Sequence, residues 1–151
     1  MNLYFAAPLF CQAERAFNAQ LALRIEDLGY SVFLPQRDGV ESSKPPWSQM
    51  APDDRRREMF AMDVREIRRC DVFLFILDGR VPDEGACVEL GIAFEQKSSG
   101  AGKHLVGLQT DQRAAFIGSR LNPMIREALD EIAGDEVELL ATLTRLRSDA
   151  S

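Results

Sequence analysis

The stretch Val72-Phe-Leu-Phe-Ile-Leu77 is six apolar residues in a row with no polar position between them. A run of that length fits a strand, and a strand with no polar face must be covered on both sides. It predicts a central strand of a parallel sheet held between two helical layers. The rest of the chain fits around it. Leu3–Ala6 is a short apolar strand ended by Pro8, and Ser31–Leu34 is a second strand ended by Pro35. Between them Phe17, Leu21, Ile25 and Leu28 fall on one helical stripe over Gln12–Gly29, with Gly29 suited to the helix end. Arg55–Arg69 carries a second stripe, Phe60, Val64 and Ile67, with Asp53 or Asp54 as its expected cap. A helix follows the Asp78–Gly85 loop to about Gln96, and His104–Gln109 is a further strand. Asn122–Ala133 and Asp135–Arg147 read as two closing helices. Strands alternating with helices predict an α/β fold: a three-layer α/β/α sandwich with a mostly parallel, flavodoxin- or Rossmann-like sheet of four to five strands. The fifth strand has no evident position.

At 151 residues the chain fits one domain, 1–151, with one core. The net charge is −6, which argues against a nucleic-acid-binding surface, because neutralising phosphates takes a basic face. It does not argue against a small neutral ligand. Cys11, Cys70 and Cys87 are odd in number and lie in apolar contexts without a CxxC, so free thiols in a reducing cytoplasm are expected. His104, the one histidine, is too little for an ordinary zinc set, and no metal is expected. The N-terminal MNLYFAAPLF lacks a basic leader and reads as a strand, not a signal peptide; no run reaches membrane-spanning length.

In open parallel sheets, ligands bind beyond the carboxyl ends of the strands. Tyr4–Pro8, Pro35 onward and Asp78–Glu89 lie there on this reading. The Pro35–Asp54 connection is long enough to suggest a binding loop or lid. No G-x-G-x-x-G follows the first strand and no P-loop lysine motif occurs, so no nucleotide cofactor is expected. The carboxylates are more informative. Asp83 and Glu89 bracket Gly85-Ala-Cys-Val88, and Glu89 sits among Val88, Leu90, Ile92 and Ala93 in a helix packed on the sheet. Taken alone, Glu89 fits a solvated helix-start charge as readily as a reactive group. Asp63 alone reads as an ordinary exposed charge, and Asp71 as a turn residue.

Together these residues resemble the nucleoside 2-deoxyribosyltransferases. The signature stretch is Asp78-Gly-Arg-Val-Pro-Asp-Glu-Gly-Ala-Cys-Val-Glu-Leu-Gly-Ile-Ala93, in which the family's nucleophile matches Glu89 and its acid six positions earlier matches Asp83. A further family acid, eight before the Asp that opens the core strand, matches Asp63 before Asp71. The tyrosine ending the first strand matches Tyr4, and the family's Asn-x-Met matches Asn122-Pro-Met124. The likeness runs from Leu3 to about Leu129. Gln36-Arg37-Asp38-Gly39 also looks like the base-side loop of some members.

The resemblance implies exchange of the nucleobase of 2′-deoxynucleosides with net retention, hence two displacements through a covalent glycosyl-enzyme. On that basis Glu89 is the nucleophile, Tyr4 orients it and Asp63 is the acid and base toward the departing and arriving nucleobases. A helix N-terminus nearby would help keep Glu89 charged. Asp83, Gly85, Asp38, Asn122 and Met124 are expected to bind substrate. Asn122 matches a residue serving a neighbouring subunit's 5′-hydroxyl, which implies a homo-oligomer (dimer, tetramer or hexamer) with shared sites. The expected partners are deoxynucleosides and free nucleobases, not nucleic acid or membrane. Two other functions stay open: a 5′-monophosphate N-glycosidase, for which Ser119 and Arg120 could bind phosphate, and a non-catalytic nucleotide sensor. Trp47 could stack on a base or anchor a lid.

Overall fold

The computed structural model describes residues 1–79, 81–111 and 121–150. Five strands, all parallel, form one sheet: β1 Asn2–Ala6, β2 Ser31–Phe33, β3 Val72–Ile76, β4 His104–Leu108 and β5 Glu131–Ala133, in the order β2-β1-β3-β4-β5. The helices are α1 Gln12–Asp27, α2 Pro35–Asp38, α3 Pro52–Arg69, α4 Glu84–Ser98, α5 Pro123–Arg126 and α6 Glu136–Asp149, with a 3₁₀ turn at Trp47–Gln49. Helices cover both faces, giving the expected three layers.

The apolar run does what its lack of alternation requires. Val72, Leu74 and Ile76 point into a core formed with Leu21 and Ile25 of α1 and with Leu139, Leu143 and Leu146 of α6. Phe73, Phe75 and Leu77 point the other way, into a core with Ile67 of α3 and Ala86, Leu90 and Ala93 of α4. β1 splits in the same manner: Leu3 and Phe5 go to the first core, Tyr4 and Ala6 to the second. The α1 stripe meets the core as predicted, and Gly29, at φ +86°, ends that helix in a conformation that favours glycine.

Three local expectations are corrected. Residues 122–133 are not one helix. Asn122 caps a single turn begun by Pro123; the chain then turns through Asp130, whose carboxylate accepts from the Leu105 amide, and enters β5. Three residues are too few to display a strand period, so helical spacing appeared to continue. Second, α3 begins at Pro52, whose fixed φ suits a first helical position, with Ala51 as its cap. Asp53 and Asp54 lie inside the first turn and pair with Arg56 and Arg57. Third, Phe60 is 63% exposed. The inward face of α3 instead passes through Asp63, four residues before the buried Ile67. A carboxylate thus holds a position that helical spacing would give to a core side chain. Among the described residues no helix is long and apolar enough to cross a membrane.

Candidate active site

The chain passes beyond the carboxyl ends of β1 and β2 and the loop after β3 to enclose a cavity of about 350 Å³. Pro8 ends the first strand, and the loop beyond it contributes Ala7, Leu9 and Phe10. Pro35 begins α2 at once after β2, so that Gln36, Gly39, Val40 and Glu41 form a second wall. α3 contributes Met59 and Asp63, one helical turn apart, and the start of α4 contributes Asp83, Gly85 and Glu89. The lining is therefore mixed, with apolar Leu9, Phe10, Val40 and Met59 beside the carboxylates of Glu41, Asp63, Asp83 and Glu89. Among the described residues lining the cavity there is no lysine or arginine.

Glu89 lies in the second turn of α4 and is largely withdrawn from solvent. The Tyr4 hydroxyl, from the middle of β1, donates to Glu89 Oε1 at 2.8 Å. Burial pushes the Glu89 carboxyl up to about 7; the Tyr4 hydrogen bond opposes this, and the charges of Asp63 and Asp83 add to it. Burial alone raises Asp63 to about 6. Tyr4 is fully buried, and burial together with the Glu89 charge holds its phenol far above its ordinary range, so it remains a donor. The expected help from the helix end is outweighed by desolvation. Asp83 itself occupies that end: it is the cap of α4, accepting from the Ala86 amide at 2.8 Å. Gly85 matters by having no side chain, since a Cβ there would stand 3.1 Å from Asp83 Oδ2.

Of the residues singled out from sequence, Glu89, Asp63, Tyr4, Asp83 and Gly85 converge here. Asp38 does not. Its carboxylate turns back to accept from the Leu34 amide at 2.9 Å and pairs with Arg37, and it lines a different cleft, with Asn2 and Glu66. A short helix takes up the loop's acid to hold its own first turn, which sequence position cannot reveal. Asn122 and Met124 are also outside the cavity. Asn122 accepts from the Met124 amide, and the Met124 side chain is 82% exposed. Trp47 is not among the lining residues. Ser119 and Arg120 lie outside the described residues. Sequence reasoning missed Leu9, Phe10, Val40, Glu41 and Met59. Four of them follow the first two strand ends, and Met59 is one turn before Asp63, so strand-end position and helical spacing were the available signals.

Carboxyls poised near neutrality at a small, half-apolar cavity can serve as nucleophile and as proton carrier. The family model for nucleoside 2-deoxyribosyltransferase matches residues 3–141. Among curated proteins no match is found. Solved structures similar to this chain include a conserved protein from Enterococcus faecalis V583, at 25% identity and TM-score 0.72, covering 96% of this chain and 98% of that one. A 2-deoxyribosyltransferase from Bacillus psychrosaccharolyticus is similar at 22% identity and TM-score 0.74, covering 95% and 96%. A CMP N-glycosidase from Clostridium botulinum is similar at 19% identity and TM-score 0.53, covering 95% and 98%. At such identities the last two likenesses speak to the fold.

Proposed function

The chain belongs to the nucleoside 2-deoxyribosyltransferase family, and from that membership we propose that it exchanges the nucleobase of 2′-deoxynucleosides through a glycosyl-enzyme on Glu89. The observation that carries this reading is the meeting of Glu89, Asp63 and the Tyr4 hydroxyl at one cavity. In the first displacement the ionised Glu89 attacks C1′. The N-glycosidic bond breaks, its electron pair goes to the base nitrogen, and Asp63 supplies that nitrogen's proton. In the second, a nitrogen of the arriving base attacks C1′ and gives its proton to Asp63, and Glu89 departs as the carboxylate. Two inversions give net retention. Tyr4 holds the attacking oxygen in line. Asp83 meets the sugar or the base while capping α4.

The carboxylates of Asp63, Asp83 and Glu89 on the cavity favour an uncharged nucleoside over its 5′-phosphate, because a phosphate dianion beside them would be repelled. The reading also includes a site shared between copies. Asn122 and Met124 stand outside their own chain's cavity, and Met124 is among several exposed apolar side chains, with Phe60 and Val88.

The deciding assay is a base-exchange matrix: each deoxynucleoside and its 5′-monophosphate, with and without each free base, read by chromatography. New deoxynucleosides that require an acceptor base support the proposal. Free sugar or sugar phosphate formed at a rate indifferent to acceptor would make the chain a hydrolase. Ligand binding without turnover would make it a sensor.

A further inference from the structure

Tyr4 is one of three aromatic residues that stand in a row across the sheet. It is paired in register with Phe33 on β2 and with Phe73 on β3, so all three side chains leave the same face. The Phe33 ring lies 5.6 Å from the Tyr4 ring at an interplanar angle of 18°, and the Phe73 ring 5.7 Å away at 6°. The tyrosine ring is therefore covered on both faces by nearly parallel rings. Any swing of χ1 that carried the hydroxyl off Glu89 would drive the ring into one of them, in a close-packed interior. Aliphatic side chains in the flanking positions would fill the core, yet they would not present a flat wall. Depending on the assignment of Glu89 above, we propose that Phe33 and Phe73 are positioning residues that clamp the Tyr4 ring and thereby fix the direction of its hydrogen bond to Glu89.

A clamp differs from ordinary core packing in what its loss does to Glu89. If the ring is free to rock, the hydroxyl spends less time on the carboxylate, and the opposition it offers to burial weakens. Glu89 then binds its proton more tightly. Phe33 lies on an edge strand and is only half-buried, so Phe33→Leu leaves a foldable protein even if Phe73→Leu does not. Phe75 gives the control: it is fully buried in the same core, two residues along β3, and pairs with Ala6 instead of Tyr4.

The test is a ¹³C NMR titration of the Glu89 side-chain carboxyl in the whole protein, which requires no turnover, together with the pH optimum of the exchange rate. Phe33→Leu and Phe73→Leu should move the Glu89 midpoint to higher pH by about half a unit, a factor of about three in proton affinity. Tyr4→Phe should move it in the same direction and further. In the Tyr4→Phe background the leucine substitutions should add nothing, since the clamped group is gone. Phe33→Tyr, which keeps the flat face, should restore the wild-type midpoint. Phe75→Leu should leave it in place. A Glu89 midpoint unchanged in Phe33→Leu, or moved equally by Phe75→Leu, overturns the clamp. The parent reading fails in a different way: Glu89→Ala would keep full base exchange, whatever the titration gives.

Discussion

The Tyr4 hydroxyl reaches Glu89 Oε1 at 2.8 Å across 85 positions of sequence, joining the middle of β1 to the second turn of α4. It is the interaction that works against the desolvation of Glu89. A hydrogen bond to a charged group contributes about 1.5–3 kcal/mol, so Tyr4→Phe should lower kcat/KM by roughly 10- to 100-fold. Removing the donor also raises the Glu89 affinity for its proton. The loss should therefore be larger on the acid side of the pH–rate profile and the optimum should move to higher pH, which steady-state kinetics across pH 5–9 will detect. An unmoved optimum, with equal loss on both sides, would mean that the hydroxyl does not act on Glu89.

The pH profile of the wild type should be bell-shaped and narrow. The productive state has Glu89 ionised and Asp63 protonated, whereas the free carboxyls lie near 7 and 6, in the opposite order. Rate is lost at low pH as Glu89 takes a proton and at high pH as Asp63 gives one up. Asp63→Asn should lose most of the exchange, and its residual rate should show no alkaline limb. A broad plateau from pH 5 to 9 in the wild type would refute the assignment.

Stability should show the cost of the same carboxylates. Both are raised in the folded state, so between about 4.5 and 7 the folded chain keeps the Glu89 proton that the unfolded chain releases. Folding stability is thus fully present below the unfolded value and falls as pH rises to 7. At about 1.4 kcal/mol per pH unit of displacement, the ionised Glu89 costs roughly 3 kcal/mol above pH 7. Asp63 acts with the same sign and, being more open to solvent, to a smaller extent. Glu89→Gln, whose amide oxygen still accepts from Tyr4, should melt higher than wild type by on the order of 5–10 °C at pH 8. The gain should shrink toward zero at pH 4. Scanning calorimetry at the two pH values measures it.

Asn18 ties two walls of the cavity together. It is 2% exposed, and its amide donates to the Pro8 carbonyl at 2.9 Å and to Gln36 Oε1 at 3.2 Å. Gln36 in turn donates to the Arg15 carbonyl. Asn18→Ala removes a buried donor from two acceptors and should cost about 1–3 kcal/mol of stability. Because Phe10 and Gln36 lie on the two walls so joined, KM should rise more than kcat falls. Equal losses in kcat and kcat/KM would show that the network bears on the reacting atoms instead.

Shared sites predict complementation. Glu89→Ala and Asn122→Ala should each be inactive alone. If Asn122 serves the cavity of another copy, mixing the two under conditions that exchange subunits should regain part of the wild-type rate, since some sites then carry both native residues. Persistent inactivity after demonstrated subunit exchange, or a monomer by light scattering, removes the shared-site reading.

The layers of the fold were legible because they follow from local patterns. Val72–Leu77 has no polar side and required two covering layers, and the α1 stripe required a core beneath it. The nearness of Asp83 to Glu89 is likewise local, since both lie at one helix start, whereas the role of Asp83 as the α4 cap emerged only in the fold. Beyond that range sequence spacing carries little. A fifth strand was allowed for but β5 could not be placed, because three residues show no period, and Phe60 was misread because α3 is oriented by its contact with the sheet and not by its own most apolar stripe. Asp38 stood in the right loop, but a short helix turned its carboxylate back to the Leu34 amide. What the sequence alone determined is the set of local elements and the acidic helix start that carries Glu89. What only the tertiary structure decided is which acids meet, and in what electrostatic state. Burial and charge proximity depend on distances between segments far apart in the chain. That is why Glu89, an ambiguous helix acid on local grounds, stands in the folded chain against Tyr4 with its carboxyl raised to about 7.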